Sequence, residues 1–215
     1  MKSPVENMVV RPEFKKGGKM RTRLVAVLLV VGVSLVFLAG AEAQSLISER
    51  IGVGLRAAYL LPTEDDILDS ALSIEGAAQY GVSNNFATEV SVGHTRPDII
   101  GSIEGGGSAR ITYVNLSFQF RGEPTADFAL YLGGGPSVFF NGYKKGQGPD
   151  DYRGRDTFGA HLNIGFDYFV TANVVFNMDA KYLFFDYKYI NRDNNKLGTV
   201  RADSLLMGAG LKYFF

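Results

Sequence analysis

Apolar side chains recur at every second position in eight separate segments of the chain. In the closing segment, for example, Leu211, Tyr213 and Phe215 share one side, while Gly210 and Lys212 lie on the other. A period of two places alternate residues on opposite faces of an extended strand. The segments are IGVGLRAAYLL, ALSIEGAAQY, FATEVSVGH, RITYVNLSFQFR, FALYLGGGPSVFF, FGAHLNIGFDYF, VVFNMDAKYLFF and DSLLMGAGLKYFF. The pattern predicts eight β-strands and indicates no helix after residue 50.

The connections between these segments alternate in length. Short turns follow the second, fourth and sixth segments: GVSNN, GEPTAD and VTAN. Longer polar loops follow the first, third, fifth and seventh, at residues 62–70, 95–108, 141–155 and 190–200. An even number of strands with short turns at one end and long loops at the other is typical of outer-membrane barrels. The predicted fold is all-β: an eight-stranded, antiparallel, up-and-down transmembrane barrel with short periplasmic turns and longer extracellular loops.

A soluble barrel is the competing interpretation, because it also alternates. It would place its apolar residues inside, around a ligand, and its charges outside. Here the charges share their face with many Gly, Ala and Ser residues, which suit the narrow interior of an eight-stranded barrel. This charged set, opposite the apolar face, comprises Arg56, Glu75, Glu89, Asp167, Asp179, Lys181 and Lys212. The arrangement favours a membrane barrel whose apolar face meets lipid.

The N-terminal part has the order of a secretory signal peptide. Basic KKGGKMRTR precedes the apolar run LVAVLLVVGVSLVFL, and AGAEAQS then supplies an Ala-x-Ala site. We predict that residues 1–43 are removed by cleavage before Gln44 and that 44–215 form the barrel. Met20 is an alternative start, which would make residues 1–19 an over-extended N-terminus. A membrane anchor is the other interpretation, but the run falls short of the roughly 20 residues that a bilayer needs.

Charge and composition narrow the function further. The predicted mature chain has 15 Lys and Arg against 19 Asp and Glu, a net charge of −4 with no basic stripe for a nucleic acid. Cysteine is absent. The two histidines, His94 in HTR and His161 in HLN, lack a partner at metal-ligand spacing. We therefore expect no enzyme, cofactor or metal site.

Inward residues can be ordered by depth, because strand direction alternates. Toward the loop end they are apolar and predict a funnel lined by Leu60, Ile111, Tyr113, Phe139, Leu183, Phe185 and Leu206. Deeper positions predict a polar plug made of Arg56, Glu75, Glu89, Asn115, Asn163, Asp179, Lys181 and Lys212. These charges should pair, because an unpaired buried charge is costly. The interpretation that both layers are only packing, with no pathway, is equally open at this point.

Several stretches resemble the OmpW family of small outer-membrane proteins. The resemblance is carried by ADFALYLGGGPSVFFN, TFGAHLNIGFDYFVTANVVFNMDAKYLFFDYKY and MGAGLKYFF, and extends to IGVGLRAAYLLP and ITYVNLSFQF. It implies an eight-stranded barrel with a hydrophobic extracellular funnel and a blocked periplasmic end. Leu211, Tyr213 and Phe215 also resemble the C-terminal signal that the outer-membrane insertion machinery reads. This chain departs from the family in having no tryptophan.

The resemblance implies passage of small apolar compounds, with a sideways exit through the wall into lipid. Our hypothesis is a narrow, porin-like channel or uptake route for small hydrophobic molecules in the outer membrane of a Gram-negative cell, reached by export through the periplasm. The expected partners are outer-membrane lipid, the insertion machinery and a small hydrophobic solute, and no nucleic acid. The alternative is a non-conducting structural or adhesive barrel that acts through its extracellular loops.

Overall fold

The computed structural model describes residues 46–63, 68–99, 107–145, 152–191 and 197–215. The predicted signal peptide, its cleavage before Gln44 and the alternative start at Met20 lie outside these residues. In chain order the strands are β1 (Ile51–Pro62), β2 (Ala71–Ser83), β3 (Phe86–Thr95), β4 (Gly107–Thr125), β5 (Phe128–Lys145), β6 (Tyr152–Arg155), β7 (Thr157–Phe169), β8 (Val174–Phe184), β9 (Asp186–Asn191), β10 (Leu197–Arg201) and β11 (Ser204–Phe214).

Eight of these strands form a closed antiparallel barrel in the order β1-β11-β8-β7-β5-β4-β3-β2. The first and last strands close it, with Gly52 paired to Phe214 and Pro62 to Ser204. Closure leaves no free edge, as a sheet surrounded by lipid requires. The predicted eight-stranded up-and-down barrel is confirmed.

Burial follows the predicted alternation along most of each barrel strand. Tyr182 of β8, predicted on the outer face, is an exception: it is 5% exposed, and its hydroxyl lies 3.1 Å from Thr63 Oγ1. Large apolar side chains are exposed on the outer face, where Leu72 is 73% and Phe158 is 86% exposed. The seven charged residues predicted to point inward are all buried. An exposed apolar belt around a polar interior is the distribution expected in a bilayer. None of the described ranges contains a helix long and apolar enough to cross a membrane.

The short turns lie at the predicted places, although β2 continues to Ser83 and β4 to Thr125, and three of the long loops contain more strand than the sequence indicated. β4 begins at Gly107 and β5 continues to Lys145, inside segments predicted as loop. β6, β9 and β10 form a separate three-stranded sheet in the order β10-β9-β6. Within the described residues, 141–145, 152–155, 190–191 and 197–200 are strand where a polar loop was predicted, and that part of the prediction is wrong. The missed strands are only four to six residues long, too short for an alternation to stand out.

The segment before β1 folds across the short-turn end of the barrel. Ile47 is fully buried there, and Ser48 pairs in parallel with Gly81 of β2. A Cβ at Gly81 would collide with the carbonyl oxygen of Ile47, so the absence of a side chain permits this close approach. Arg50 then donates hydrogen bonds to the carbonyl oxygens of Leu46, Ala172, Phe214 and Phe215.

Candidate functional site

The extracellular half of the barrel interior is filled by one apolar cluster. All seven residues predicted to line a funnel belong to it: Leu60, Ile111, Tyr113, Phe139, Leu183, Phe185 and Leu206. The rings of Phe139 and Phe185 stack with centroids 4.1 Å apart. The predicted residues thus come together, but in this structure their side chains pack against one another.

Residues from outside the barrel strands cover this cluster. Leu68 and Ile99, which bridge two connecting segments, are buried in it, and so is Tyr187 of β9. The Tyr187 hydroxyl donates a 2.9 Å hydrogen bond to the carbonyl oxygen of Gly142. Burial, with a smaller effect from Tyr143, raises the pKa of Tyr187, so its hydroxyl remains a neutral donor. The small β6-β9-β10 sheet therefore contributes a hydrogen-bonded aromatic cover.

Below the apolar cluster, Arg56 is the centre of an ion-pair network. Its guanidinium contacts Glu75, Glu89 at 2.5 Å and Asp179 at 3.3 Å. Lys181 contacts Glu75 at 2.5 Å and Asp179 at 3.4 Å. Every one of these side chains is nearly inaccessible to solvent, so the predicted pairing of lumen charges is present in the structure.

The network continues toward the short-turn end. Lys212 lies 3.2 Å from Glu89 and 3.4 Å from Asp167, and Arg121 lies 2.6 Å from Asp167. Arg121 was not among the predicted plug residues, although it is the last residue of the predicted fourth strand. Its parity with inward-facing Gln119 could have identified it. Within the described barrel strands, four buried cations thus face four buried anions.

The two asparagines of the predicted plug make no hydrogen bond to its charged members among the described residues, although Asn163 pairs with Lys181 across β7 and β8. Asn115 donates to Ser91 at 3.3 Å, whereas the side-chain amide of Asn163 has no hydrogen-bond partner among the described residues. A Cβ on Gly133 would come within 2.8 Å of the Asn163 carbonyl oxygen, so this amide lies over a glycine. The six charged members of the plug form one network, and the two amides do not take part in it.

His161 is held between two serines inside the barrel. Its Nε2 lies 2.6 Å from Ser117 Oγ and its Nδ1 lies 2.9 Å from Ser137 Oγ. A nucleophilic triad needs an acid to orient the second ring nitrogen, and a serine occupies that place here. Among the described residues, no group of three or more His, Cys, Asp or Glu could hold a metal ion.

A second apolar cluster closes the short-turn end. Its buried members are Ile47, Ala87, Ala129, Phe169, Val175 and Phe214, with Leu46 packed against them. Leu211, Tyr213 and Phe215, predicted as an insertion signal, lie on the exposed outer face at the same end. Their reading by insertion machinery stays a prediction.

A closed eight-stranded barrel with an apolar outer belt and a charged interior defines an outer-membrane β-barrel protein. A family model described as "Outer membrane protein beta-barrel domain" matches residues 26–213. The chain belongs to this family, and the predicted location in the bacterial outer membrane is confirmed. It is 30% identical over 164 residues to the "Uncharacterized outer-membrane protein y4mB" of Sinorhizobium fredii, a match covering 72% of this chain and 71% of the relative.

Solved structures share the fold. OprG from Pseudomonas aeruginosa superposes with a TM-score of 0.67 at 18% identity, covering 81% of this chain and 99% of OprG. AlkL superposes with a TM-score of 0.59 at 16% identity, covering 82% of this chain and 94% of AlkL. Neisserial surface protein A superposes with a TM-score of 0.56 at 19% identity, covering 77% of this chain and 97% of that protein. The predicted OmpW-like barrel is confirmed in its fold, and the names of these four proteins are those of outer-membrane or surface proteins, not of enzymes.

Proposed function

We propose that this barrel is an uptake route for small hydrophobic molecules. The observation that carries the proposal is the apolar cluster in the extracellular half, directly above the ion-pair network. An apolar solute gains by leaving water for such surroundings, at about 25 cal/mol per Å² of apolar surface. The side chains and their cover must separate to admit it.

The solute would leave sideways through the barrel wall, because the charged network lies below the apolar cluster. Between β4 and β5 the pairing runs from Asn115↔Ser137 to Phe118↔Gly134 and skips the residues opposite Gly135 and Pro136. Proline has no N–H to donate to a ladder. This interruption lies beneath Phe139 and supports a lateral exit into lipid through the β4–β5 wall.

Planar-bilayer conductance tests whether the ionic plug closes the axial path. The refolded chain 44–215 is compared with a Glu75→Ala plus Lys181→Ala variant, which removes one contacting pair. Small channels in the wild type that become larger in the variant support an axial lumen closed by these charges. If neither the wild type nor the variant conducts ions, an ionic path is excluded, and the lateral route or a structural barrel remains.

Uptake of a radiolabelled alkane by cells that produce the protein then distinguishes the lateral route from the structural barrel. Faster uptake than in cells with an empty vector, reduced in a Tyr113→Ala plus Phe139→Ala variant, is the expected result. Equal uptake with and without the protein contradicts the proposal.

The second candidate is a non-conducting barrel that acts through its extracellular surface. Its specific support is the packed state of the interior, together with the β6-β9-β10 sheet, whose exposed Arg153 and Arg155 offer a surface for contacts. It predicts silence in bilayers and no effect on alkane uptake.

A further inference from the structure

The outer surface of the barrel is not uniform at its extracellular border. On β3 and β4, exposed apolar positions such as Val90, Val92 and Leu116 give way to His94, Arg96 and Arg110 on the same face. Lys144 of β5 lies next to them, because Gly142 pairs with Arg110 and Lys144 pairs with Ser108. We call His94, Arg96, Arg110 and Lys144 the basic rim.

Two arginines of the basic rim lie directly opposite each other. The β3–β4 register places Thr95 opposite Ile111, and the bridge Asp98↔Ser108 continues the same register, so Arg96 faces Arg110. Like charges directly across a pair of strands are destabilising. Among the described residues, two acids lie near this pair: Asp98 pairs with Ser108, and its carbonyl oxygen accepts a hydrogen bond from the N–H of Asp69. The described cations there are Arg96, Arg110 and Lys144, so the described part of this sector has an excess of positive charge. An anion held between the two guanidinium groups would relieve the repulsion.

Hydrogen bonds orient Arg96 for such a ligand. Its Nε donates to His94 Nε2 at 3.0 Å, so the ring proton lies on Nδ1, which donates to Thr112 Oγ1 at 2.9 Å. Both Nη groups of Arg96 are left without an acceptor among the described residues. A guanidinium fork held in this way matches two oxygens of one phosphate.

The height of the basic rim identifies the source of the phosphate. His94 pairs with exposed Ile74 on one side and with Thr112 on the other, and Thr112 pairs with exposed Phe140, so the rim begins beside the last lipid-facing side chains of the belt. Lipid headgroups lie at this level of a bilayer, and basic clusters beside a membrane surface attract anionic lipids. On the β7 and β9 side, exposed Asp156 follows exposed Arg155, and Asp186 pairs with exposed Arg201, so the described cations there have acids as direct neighbours.

We propose that the basic rim binds a phosphate group of an outer-leaflet lipid headgroup, with Arg96 and Arg110 sharing its oxygens. The site is on the outside of the barrel and does not depend on the proposed uptake route. It makes one sector of the wall a fixed lipid-binding surface.

Native mass spectrometry of the full barrel in nanodiscs tests the proposal. The probes are diphosphorylated lipid A and the same lipid after removal of its phosphates. We expect the wild type to retain roughly tenfold more of the phosphorylated lipid, as expected for charged hydrogen bonds, and an Arg96→Gln plus Arg110→Gln variant to lose that preference. An Arg153→Gln plus Arg155→Gln variant, equal in charge but located on the small sheet, should keep it.

Four outcomes overturn the proposal: no preference in the wild type, retention by the rim variant, equal loss in the control, and displacement by excess inorganic phosphate, which would indicate a free-anion site. A melting experiment gives a second readout. In zwitterionic vesicles the single Arg96→Gln change should raise the Tm by relieving repulsion, and in vesicles containing lipid A it should lower it. A change in Tm in the same direction in both kinds of vesicle also overturns the proposal.

Discussion

At the scale of single residues, the charged interior depends on each partner being present. Arg121 is fully buried and contacts Asp167, which also accepts a 2.7 Å hydrogen bond from Asn177. Removing one member of a buried pair leaves an uncompensated charge, whereas removing both members often costs little.

We therefore expect Arg121→Leu to lower the free energy of unfolding by about 3–5 kcal/mol. Arg121→Leu combined with Asp167→Leu should be less destabilising than the single change. Urea titrations in lipid vesicles measure both. A double variant at least as unstable as the single one would contradict the view that the loss comes from the Asp167 carboxylate, which of the described cations keeps only Lys212, at 3.4 Å.

A substitution at Gly81 tests how the segment before β1 is held against the barrel. Gly81→Ala should expel Ile47 from its buried position, since the new Cβ collides with the Ile47 carbonyl oxygen. Hydrogen exchange of the backbone N–H groups of Glu49 and Arg50 should become faster. Gly76→Ala in the same strand is the control, because its Cβ would make only an ordinary 3.8 Å contact with Leu55.

At the scale of elements, two features interrupt an otherwise regular barrel: the gap between β4 and β5, and the β6-β9-β10 sheet over the mouth. Both lie beside the apolar cluster, the gap at its lower border and Tyr187 at its top. Under the proposed uptake route, entry and exit of an apolar solute would move these two elements, while the remaining ladders stay paired.

Pro136→Ala provides the N–H that the β4–β5 ladder lacks. We expect a gain of about 1 kcal/mol in the free energy of unfolding, the usual net value of one hydrogen bond, and slower alkane uptake if the lateral route operates. Val138→Ala, also on the outer face of β5, should give no such gain. Equal stability of Pro136→Ala and the wild type would show that the gap does not arise from the missing donor.

Tyr187→Ala should detach the small sheet, because it removes both the hydrogen bond to Gly142 and the ring packed on the apolar cluster. Limited trypsin digestion should then cut after Arg153 or Arg155 faster, while the barrel remains folded. Tyr80→Ala on the lipid-facing side is the matched control. Unchanged cleavage would mean that the backbone contacts of β6 are sufficient to hold the sheet.

At the scale of the whole molecule, one arginine connects the beginning and the end of the described chain. Arg50 precedes β1 and donates to carbonyl oxygens at the end of β11 and in the β7–β8 turn. It therefore reinforces the seam where β1 pairs with β11, the first and last strands of the barrel.

Arg50→Met should speed unfolding in lipid vesicles and lower the free energy of unfolding by about 1–3 kcal/mol, because four backbone carbonyl oxygens lose a charged donor. Arg153→Met, which changes an exposed arginine outside the barrel, should leave both quantities within about 0.5 kcal/mol of the wild type. If the two variants behave alike, the seam does not depend on Arg50.

The sequence was sufficient to predict the barrel and its inward face, because a period of two assigns each side chain to lipid or lumen. It was sufficient to place six charged plug residues at similar depths, and these do meet. Parity with Gln119 also placed Arg121 on the inner face, but alternation could not show that the strand continues beyond it to Thr125 and keeps its side chain inside the barrel. Nor could it show that β9 brings Tyr187 over the apolar cluster, since that contact depends on how loops fold back.

The balance of charges inside the barrel has an electrical consequence. Four positive and four negative side chains packed together carry no net charge for a field to displace. Moving one elementary charge through 100 mV is worth about 2.3 kcal/mol, so a neutral cluster that moves as a unit gains nothing from an applied voltage. Any opening of this barrel in a planar bilayer should therefore be as frequent at positive as at negative potential.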